Sequence, residues 1–330
     1  YSAGLTLERA IQGLASEERH PKLKKVLTNV GENIRKGLSL SEALQRHPGV
    51  FSTLFVSLTK AGEVSGNLDE ILDELATYLE NLDDVRRKVR SAMTYPIFMV
   101  LFLFAMMSAM FMWIIPMFSD VYVQLGANLP EATRRLVLLS EWISINFNSI
   151  VFSLFGFIGS LWLVSKTQRG GYILDSIKLK VPVFGSLLNQ SILNKFSKTA
   201  GILLNAGVPV IESMNLIGKI VSNRVYEVAI GDATEYIRDG FNITSALRRT
   251  EIFPPILLQL TATGEETGEL DSLLDRTAEY YYKQVNALVE RMTTLIEPIF
   301  ILMVGVIIAV MVVITYLPVF YLGAALQSGL

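Results

Sequence analysis

The sequence predicts an all-α, polytopic membrane protein with two repeated cytoplasmic helical bundles, of the six-helix type, and three transmembrane helices. Three observations predict this class: three charge-free apolar stretches of at least 20 residues interrupt the chain, apolar residues in the polar regions recur at three- and four-residue steps, and the second polar region repeats the first. The composition agrees, because 51% of the residues are hydrophobic and only 18% are charged, whereas soluble domains carry roughly 25% charged residues.

Residues 1–95 form copy one of the repeat, which is expected to be N-terminally incomplete. Tyr1 aligns with Leu204 of copy two, so the first helix of the repeated fold has no counterpart in copy one. The chain also begins with Tyr1 rather than Met, so we expect a fragment or a processed form. From Asn67 to Tyr95 no Gly or Pro occurs for 29 residues, which predicts a stalk helix of roughly 43 Å between bundle and membrane.

The three apolar stretches predict transmembrane helices at 96–118, 142–165 and 297–320. Each holds the roughly 20 apolar residues that a helix needs to cross about 30 Å of hydrocarbon. The second stretch is the most polar, but Trp142 and Trp162 lie 20 residues apart, where aromatic residues of the two membrane interfaces are expected. For each stretch the alternative is a buried core helix.

The basic residues predict the orientation. Lys and Arg number 13 in residues 1–95, two in 119–141, 14 in 166–296 and none in 321–330. Cytoplasmic segments carry the excess of Lys and Arg, so 1–95 and 166–296 are predicted to be cytoplasmic. The loop 119–141 and the tail 321–330 then face outward.

Residues 166–296 contain copy two, which matches copy one in two long blocks. IRKGLSLSEAL (34–44) pairs with IRDGFNITSAL (237–247), and AGEVSGNLDEIL (61–72) pairs with TGEETGELDSLL one alignment gap later. Between positions 62 and 72 six of 11 residues are identical, where average residue usage would give roughly one. The match indicates two copies of one unit, each a bundle that leads into a span.

The repeated turns supply the candidate structural residues. Gly37 and Gly240 follow basic helix ends, where a left-handed cap is expected. The acidic segments GEVSGNLDE and GEETGELDS could be metal-binding loops, but the spacing of their carboxylates does not fit the calcium-loop template. A glycine turn followed by a helix whose first turn is acidic explains these segments better. The candidate structural or interaction residues are Gly37, Gly62, Glu63, Gly66, Pro96, Gly240, Gly264, Glu265, Gly268, Glu297 and Pro298.

Glu297 differs from the other candidates because it lies at the start of a long charge-free stretch. Copy one has Tyr95 at the equivalent position, so the joint between bundle and span does not itself require a carboxylate. An ionisable group at a membrane edge is costly unless it is paired or hydrated. Two interpretations stay open: a carboxylate stabilised by the helix dipole, or one that contacts a partner.

The residue inventory predicts no catalytic, cofactor-binding or metal-binding residues. The chain has no cysteine and two histidines, which excludes thiolate metal sites and most histidine-based acid–base chemistry. It contains no phosphate-binding GxxxxGK[ST] loop, no GxGxxG, no HExxH and no GxSxG motif. Energy coupling would therefore need a separate nucleotidase, and a net charge of −2 gives no reason to expect a nucleic-acid partner.

These motifs together carry a family resemblance. The duplicated turn and helix start, the YPIF (95–98) and EPIF (297–300) span starts, and the terminal YLPVFYLG (316–323) resemble the inner-membrane platform protein of type II secretion and type IV pilus systems. The resemblance covers nearly the whole chain. Its YLPVFYLG ending looks more like the pilus branch than the secretion branch, which stays the alternative.

The resemblance implies a role as well as a fold. Such a platform lies in the bacterial inner membrane, has an outward C-terminus, and couples a cytoplasmic hexameric ATPase to the insertion or extraction of pilin subunits. The implied partners are that ATPase, pilin or pseudopilin subunits, other inner-membrane assembly proteins, further copies of the chain and the lipid bilayer. Outside the family, a membrane transporter and a passive scaffold remain as alternatives; a transporter would need more polar groups inside its spans.

Overall fold

The computed structural model describes the backbone of residues 6–117, 120, 131–182 and 184–328. Throughout this part of the chain the regular elements are helices, as the all-α prediction requires.

Five helices form copy one. They are α1 Leu7–Glu17, α2 Pro21–Arg35, α3 Leu40–Gln45, α4 Thr53–Ser65 and α5 Leu68–Ala109. A π-helical segment, Met110–Ile114, follows α5 directly, and residues 115–117 are again α-helical. The predicted stalk is therefore part of α5, which continues into the first apolar stretch.

In the described residues from 131 onward there are eight further helices. They are α6 Glu131–Lys166, α7 Gln168–Lys180, α8 Phe184–Asn205, α9 Val210–Ile220, α10 Arg224–Arg238, α11 Ile243–Arg249, α12 Pro255–Thr267 and α13 Leu270–Ser328. The five helices α9 to α13 repeat the order of α1 to α5, which confirms the repeat at the level of elements. The predicted loop 119–141 falls partly outside the described residues, and its portion 131–141 is the first three turns of α6.

The described residues divide into two compact units. The bundle unit contains the described residues up to Arg87 together with Tyr172–Asn286, and the apolar unit contains Lys88–Gly171 and the described residues from Ala287 onward. Both copies of the repeat thus contribute to the bundle unit. Helices α5 and α13 are continuous between the two units.

One hydrophobic core in the bundle unit is built from both copies. Copy one contributes Leu54, Leu58, Ile71, Leu75 and Tyr78, and copy two contributes Phe196, Ile217, Leu247, Leu257, Leu274 and Tyr281 among others. A smaller core lies within copy one and contains Val30, Leu40, Ala43, Leu44 and Leu68. The shared core means that the two copies stabilise each other by removing apolar surface from water.

The apolar unit contains two helices that are long and apolar enough to cross a membrane. These are Leu68–Met117 and Val137–Lys166, while Pro298–Ala309 is a shorter apolar helical stretch within the described residues of α13. Large apolar side chains such as Phe98 and Phe155 are more than 60% exposed, which suits a lipid environment and not the interior of a soluble domain. The three-span topology stays a prediction.

A local contact joins the first apolar stretch to α6. The hydroxyl of Ser140 donates a hydrogen bond to the backbone carbonyl of Phe111, inside the π-helical segment. Met110, Ile115 and Val137 are buried around this contact. Because a π turn leaves carbonyl groups without their usual α-helical partner, the Ser140 hydroxyl satisfies a group that would otherwise be costly in an apolar environment.

Candidate functional site

In copy one, the carboxylate of Glu63 on α4 binds the N-terminus of α3. It accepts hydrogen bonds from the backbone N–H of Leu40, from that of Ser41 at 3.3 Å, and from the Ser41 hydroxyl. The first N–H groups of a helix have no intrahelical partner, and a negative charge there is favoured by the helix dipole. Glu63 therefore fastens α3 to α4.

Copy two repeats this arrangement, which we call the glutamate clamp. Glu265 on α12 accepts from the backbone N–H groups of Ile243 and Thr244, the latter at 3.0 Å, and from the Thr244 hydroxyl. Thr244 is buried, as is its counterpart Ser41. The same contacts therefore occur at two places in the chain, and in each the carboxylate oxygens of the glutamate bind a helix N-terminus.

In each copy a glycine directly precedes the clamp glutamate and begins the segment GEVSG (62–66) or GEETG (264–268), which we call the GE motif. This first glycine permits close helix packing. A Cβ atom on Gly264 would lie 2.7 Å from the Cα of Leu270, and one on Gly62 would lie 3.1 Å from the Cα of Leu68. Real Cβ atoms do not approach backbone atoms as closely as 2.7 Å. The α12–α13 junction therefore requires glycine, and the α4–α5 junction strongly prefers it.

The second glycine of each motif ends a helix in the left-handed conformation. Gly66 has φ 79° and Gly268 has φ 77°. This left-handed conformation is unfavourable for residues that have a Cβ atom, but not for glycine. Gly37 and Gly240 adopt the same conformation after α2 and α10, with φ 92° and 94°. Two residues later Ser39 and Asn242 cap the next helices, and their side chains accept from the backbone N–H groups of Glu42 and Ser245.

Side chains that sequence reasoning missed join the two copies. The Tyr78 hydroxyl on α5 lies 3.0 Å from the Thr199 hydroxyl on α8, and both residues are fully buried. Burial raises the pKa of Tyr78, against smaller lowering effects of the Thr199 hydrogen bond and the Arg86 charge. Near one end of the same pair of helices, the Asn205 side chain donates to the Glu74 carboxylate at 3.2 Å. The sequence shows only that Tyr78 occupies a helix position where apolar residues recur, which does not reveal Thr199 as its partner.

The remaining predicted positions lie at the span starts. The side chains of Pro96 and Glu297 fall outside the part of the chain that the structure describes. Pro298 is exposed, within the continuous helix α13. Among the described residues no group of three or more His, Asp or Glu side chains is arranged to hold a metal ion.

Sequence comparison supplies the family. The model of the type II secretion system protein F family matches residues 1–116 and 196–318, which together are most of the chain and correspond to its two copies. The chain belongs to this family. The match starts anew at Phe196 within α8, in agreement with the internal repeat.

Similar proteins occur in both branches of the family. The chain is 36% identical to the type IV pilus assembly protein PilC of Thermus thermophilus over 323 residues, 96% of this chain and 78% of that protein. It is 33% identical to PilC of Myxococcus xanthus over 98% of this chain and 78% of that protein. It is also 33% identical to the type II secretion system protein F of Aeromonas hydrophila over 92% of this chain and 79% of that protein.

Family membership establishes the general role. Proteins of this family are structural platform proteins and not enzymes, and the chain is accordingly an inner-membrane platform protein that works with other components of an assembly system. The glutamate clamps and the glycine turns occur once in each copy of the repeat, and the shared core joins the two copies. They build a scaffold, and no bond-making chemistry is attached to them.

Proposed function

We propose that this platform serves type IV pilus assembly and couples a cytoplasmic hexameric ATPase to the insertion or extraction of pilin subunits at the filament base. The observation that carries the proposal is the continuity of α5 and α13 between the bundle unit and the apolar stretches, within a family of assembly platforms. A continuous helix transmits displacement along its axis, whereas a flexible linker would absorb it.

The proposed topology has three spans, with both copies of the repeat in the cytoplasm. It is supported by the 27 Lys and Arg residues outside the loop 119–141 and by the cation–π contact of Lys166 with Trp162, 3.6 Å from the ring centroid, at one end of the second span. A periplasm-active reporter fused after Leu330 should be active, and the same reporter fused after Ser222 inactive. Activity with the opposite pattern would exclude the topology.

The transmission role is tested by breaking α5 where the bundle unit ends. Arg87 is exposed and pairs with Asp83 at 3.0 Å one turn earlier. Arg87→Pro removes a backbone hydrogen bond and kinks the helix at a cost of about 3 kcal/mol, while Arg87→Ala removes only the side chain. The variants are expressed in a strain whose own gene for this protein has been deleted. We expect Arg87→Pro to reach the membrane but to assemble no filaments, and Arg87→Ala to assemble them.

Two measurements make the comparison decisive. Membrane fractionation and limited proteolysis of the full chain show whether Arg87→Pro keeps a folded bundle unit, and Arg90→Pro, one turn further from the bundle unit, replaces it if it does not. Filaments at the wild-type level in a folded variant with a proline in α5 would contradict a role of this helix in transmission.

The secretion branch is the second candidate function, because the Aeromonas relative is a secretion protein at 33% identity. A deletion strain distinguishes the two. Loss of surface filaments with unchanged secretion of exoproteins supports the pilus branch, and the reverse supports secretion.

Glu297 remains a proposed interaction residue. Copy one has Tyr95 in its place, so we propose that the carboxylate contacts a basic residue of a neighbouring platform subunit or Arg291 upstream on the same helix. Glu297→Gln should leave membrane insertion intact and reduce self-association and filament assembly. Wild-type assembly in this variant would assign the residue to dipole stabilisation alone.

A further inference from the structure

A basic groove runs along the seam between the two copies in the bundle unit. Its volume is about 670 Å³, and both copies contribute cationic side chains to its lining: Arg86 from α5, Lys195 from α8 and Lys219 from α9. The one carboxylate in the lining, that of Asp83, is paired with Arg87. Three cations against one carboxylate give the lining an excess of positive charge.

The three cations have no carboxylate partner within 4 Å among the described residues. Lys195 instead donates to the carbonyl of Ile220 at 2.7 Å and to the Ser222 hydroxyl at 3.5 Å. Burial, and secondarily the Arg86 charge, lowers the pKa of Lys195. A half-buried ammonium beside a guanidinium destabilises the fold unless an anion compensates it.

The groove also has an apolar floor. Phe51, Leu54, Phe55, Tyr78, Leu79, Leu82, Leu216 and Ile220 line it together with the cations. Leu79 is 43% exposed, although the preceding residue, Tyr78, belongs to the shared core. An inorganic anion would leave this apolar surface in contact with water, whereas a segment with apolar residues on one side and carboxylates on the other would cover both features.

We propose that the groove binds an acidic, amphipathic segment of the assembly ATPase. The inference rests on the proposed function for the identity of the partner and on charge complementarity for the site. The segment's carboxylates pair with Arg86 and Lys219 at the groove surface, and its apolar residues pack against Leu79 and the partly buried Ile220. Because the cations come from both copies, an occupied groove also holds the two copies of the repeat together, so that ATPase movement reaches α5 and α8 at once.

The test measures binding of the purified ATPase to the full chain in phosphatidylcholine nanodiscs. Charge reversal of the exposed groove cations, Arg86→Glu combined with Lys219→Glu, should weaken binding at least tenfold and flatten its dependence on salt. Lys60→Glu is the matched control, because Lys60 is an exposed cation on α4 that does not line the groove. It should bind as the wild type does, and melting curves should show that all variants are folded. If the double reversal unfolds the chain, Arg86→Gln replaces it and should weaken binding by a smaller factor.

The possible outcomes separate the two proposals. Equal binding by the wild type and the groove variants would overturn the groove as the docking site and leave ATPase coupling intact. Equal loss in the groove variants and in Lys60→Glu would also overturn it, since the attraction would then be unspecific. No binding of the ATPase to the wild type would overturn the coupling itself. If the groove variants lose only adhesion to phosphatidylglycerol vesicles, the cations serve the lipid headgroups and the proposal is wrong.

Discussion

At the residue scale, the structure distinguishes two kinds of helical glycine: those that could be replaced by alanine without a clash, and those whose close packing leaves no room for a methyl group. A glycine inside a helix costs roughly 1 kcal/mol relative to alanine, so Gly→Ala stabilises wherever a methyl group fits. Gly231 on α10 has open space around its Cβ position, whereas a Cβ on Gly264 would meet the backbone of Leu270. The same substitution should therefore have opposite signs at the two sites.

The prediction compares three alanine variants. Gly231→Ala should raise the unfolding free energy by about 0.5–1 kcal/mol, and Gly264→Ala should lower it by about 1–3 kcal/mol because α12 and α13 must separate. Gly62→Ala, with its contact 0.4 Å longer than that of Gly264 (3.1 against 2.7 Å), should fall between them. Thermal melting of the full chain in detergent gives the order, and a stabilised Gly264→Ala variant would contradict the packing argument.

A second residue-scale prediction concerns the left-handed turns. Gly66→Val and Gly268→Val place a β-branched residue at φ near 80°, which should destabilise each copy by about 1–3 kcal/mol. Gly13→Val on α1 is a control without a positive φ or a close neighbour. Melting temperatures of Gly66→Val and Gly268→Val equal to that of the wild type would refute the requirement for these turns.

At the element scale, the glutamate clamp attaches a short helix to a longer one in each copy. Helix α3 has six residues and α11 has seven, too few to be stable alone. The sequence revealed the acidic residue after each glycine because the GE pair is repeated. It could not reveal the partner, since the N–H groups that the carboxylate binds lie about 22 residues away in sequence and carry no side-chain signature.

The clamp predicts a local effect of neutralising the glutamate. Glu265→Gln keeps the size of the side chain but replaces one acceptor oxygen with an N–H₂ donor that faces the Thr244 donors, so we expect a loss of about 1.5–3 kcal/mol. Amide hydrogen exchange at Ile243 and Thr244 should accelerate more than exchange elsewhere in the bundle unit. Glu266→Gln, at the exposed neighbouring position, should leave the exchange unchanged, and equal rates in both variants would argue against the clamp.

At the scale of the whole molecule, the repeat was readable from the sequence but the seam between its copies was not. The four- and three-residue steps from Ile71 to Leu75 and Tyr78 predict that this face of α5 is buried, but they do not show which helix covers it. The structure pairs it with α8, a helix of copy two that has no equivalent in copy one. Long-range pairing of helices depends on side-chain shape at contacts that a one-dimensional pattern does not encode.

The seam predicts a specific cross-link. The natural chain has no cysteine, so Glu74→Cys with Asn205→Cys, which replaces a hydrogen-bonded pair, should give an intramolecular product with a short bismaleimide. Glu74→Cys with Glu227→Cys, an exposed position in the first turn of α10 in copy two, is the control pair. A protease cut between the copies followed by gel electrophoresis detects the product, and equal yields from both pairs would mean that the copies do not adopt this packing.

The π-helical segment breaks the symmetry that the duplication would otherwise impose on the apolar stretches. A π turn adds one residue to the α-helical register, and one residue corresponds to about 100° of rotation about the axis. Pro116 still aligns with Pro318 in sequence, but the corresponding part of α13 stays α-helical. The backbone of the first apolar stretch therefore changes its helical register by about 100° at Met110–Ile114, whereas the described backbone of the corresponding part of α13 shows no such change. The sequence thus presents the first and third apolar stretches as copies of one unit, while their backbones differ in helical register at one place.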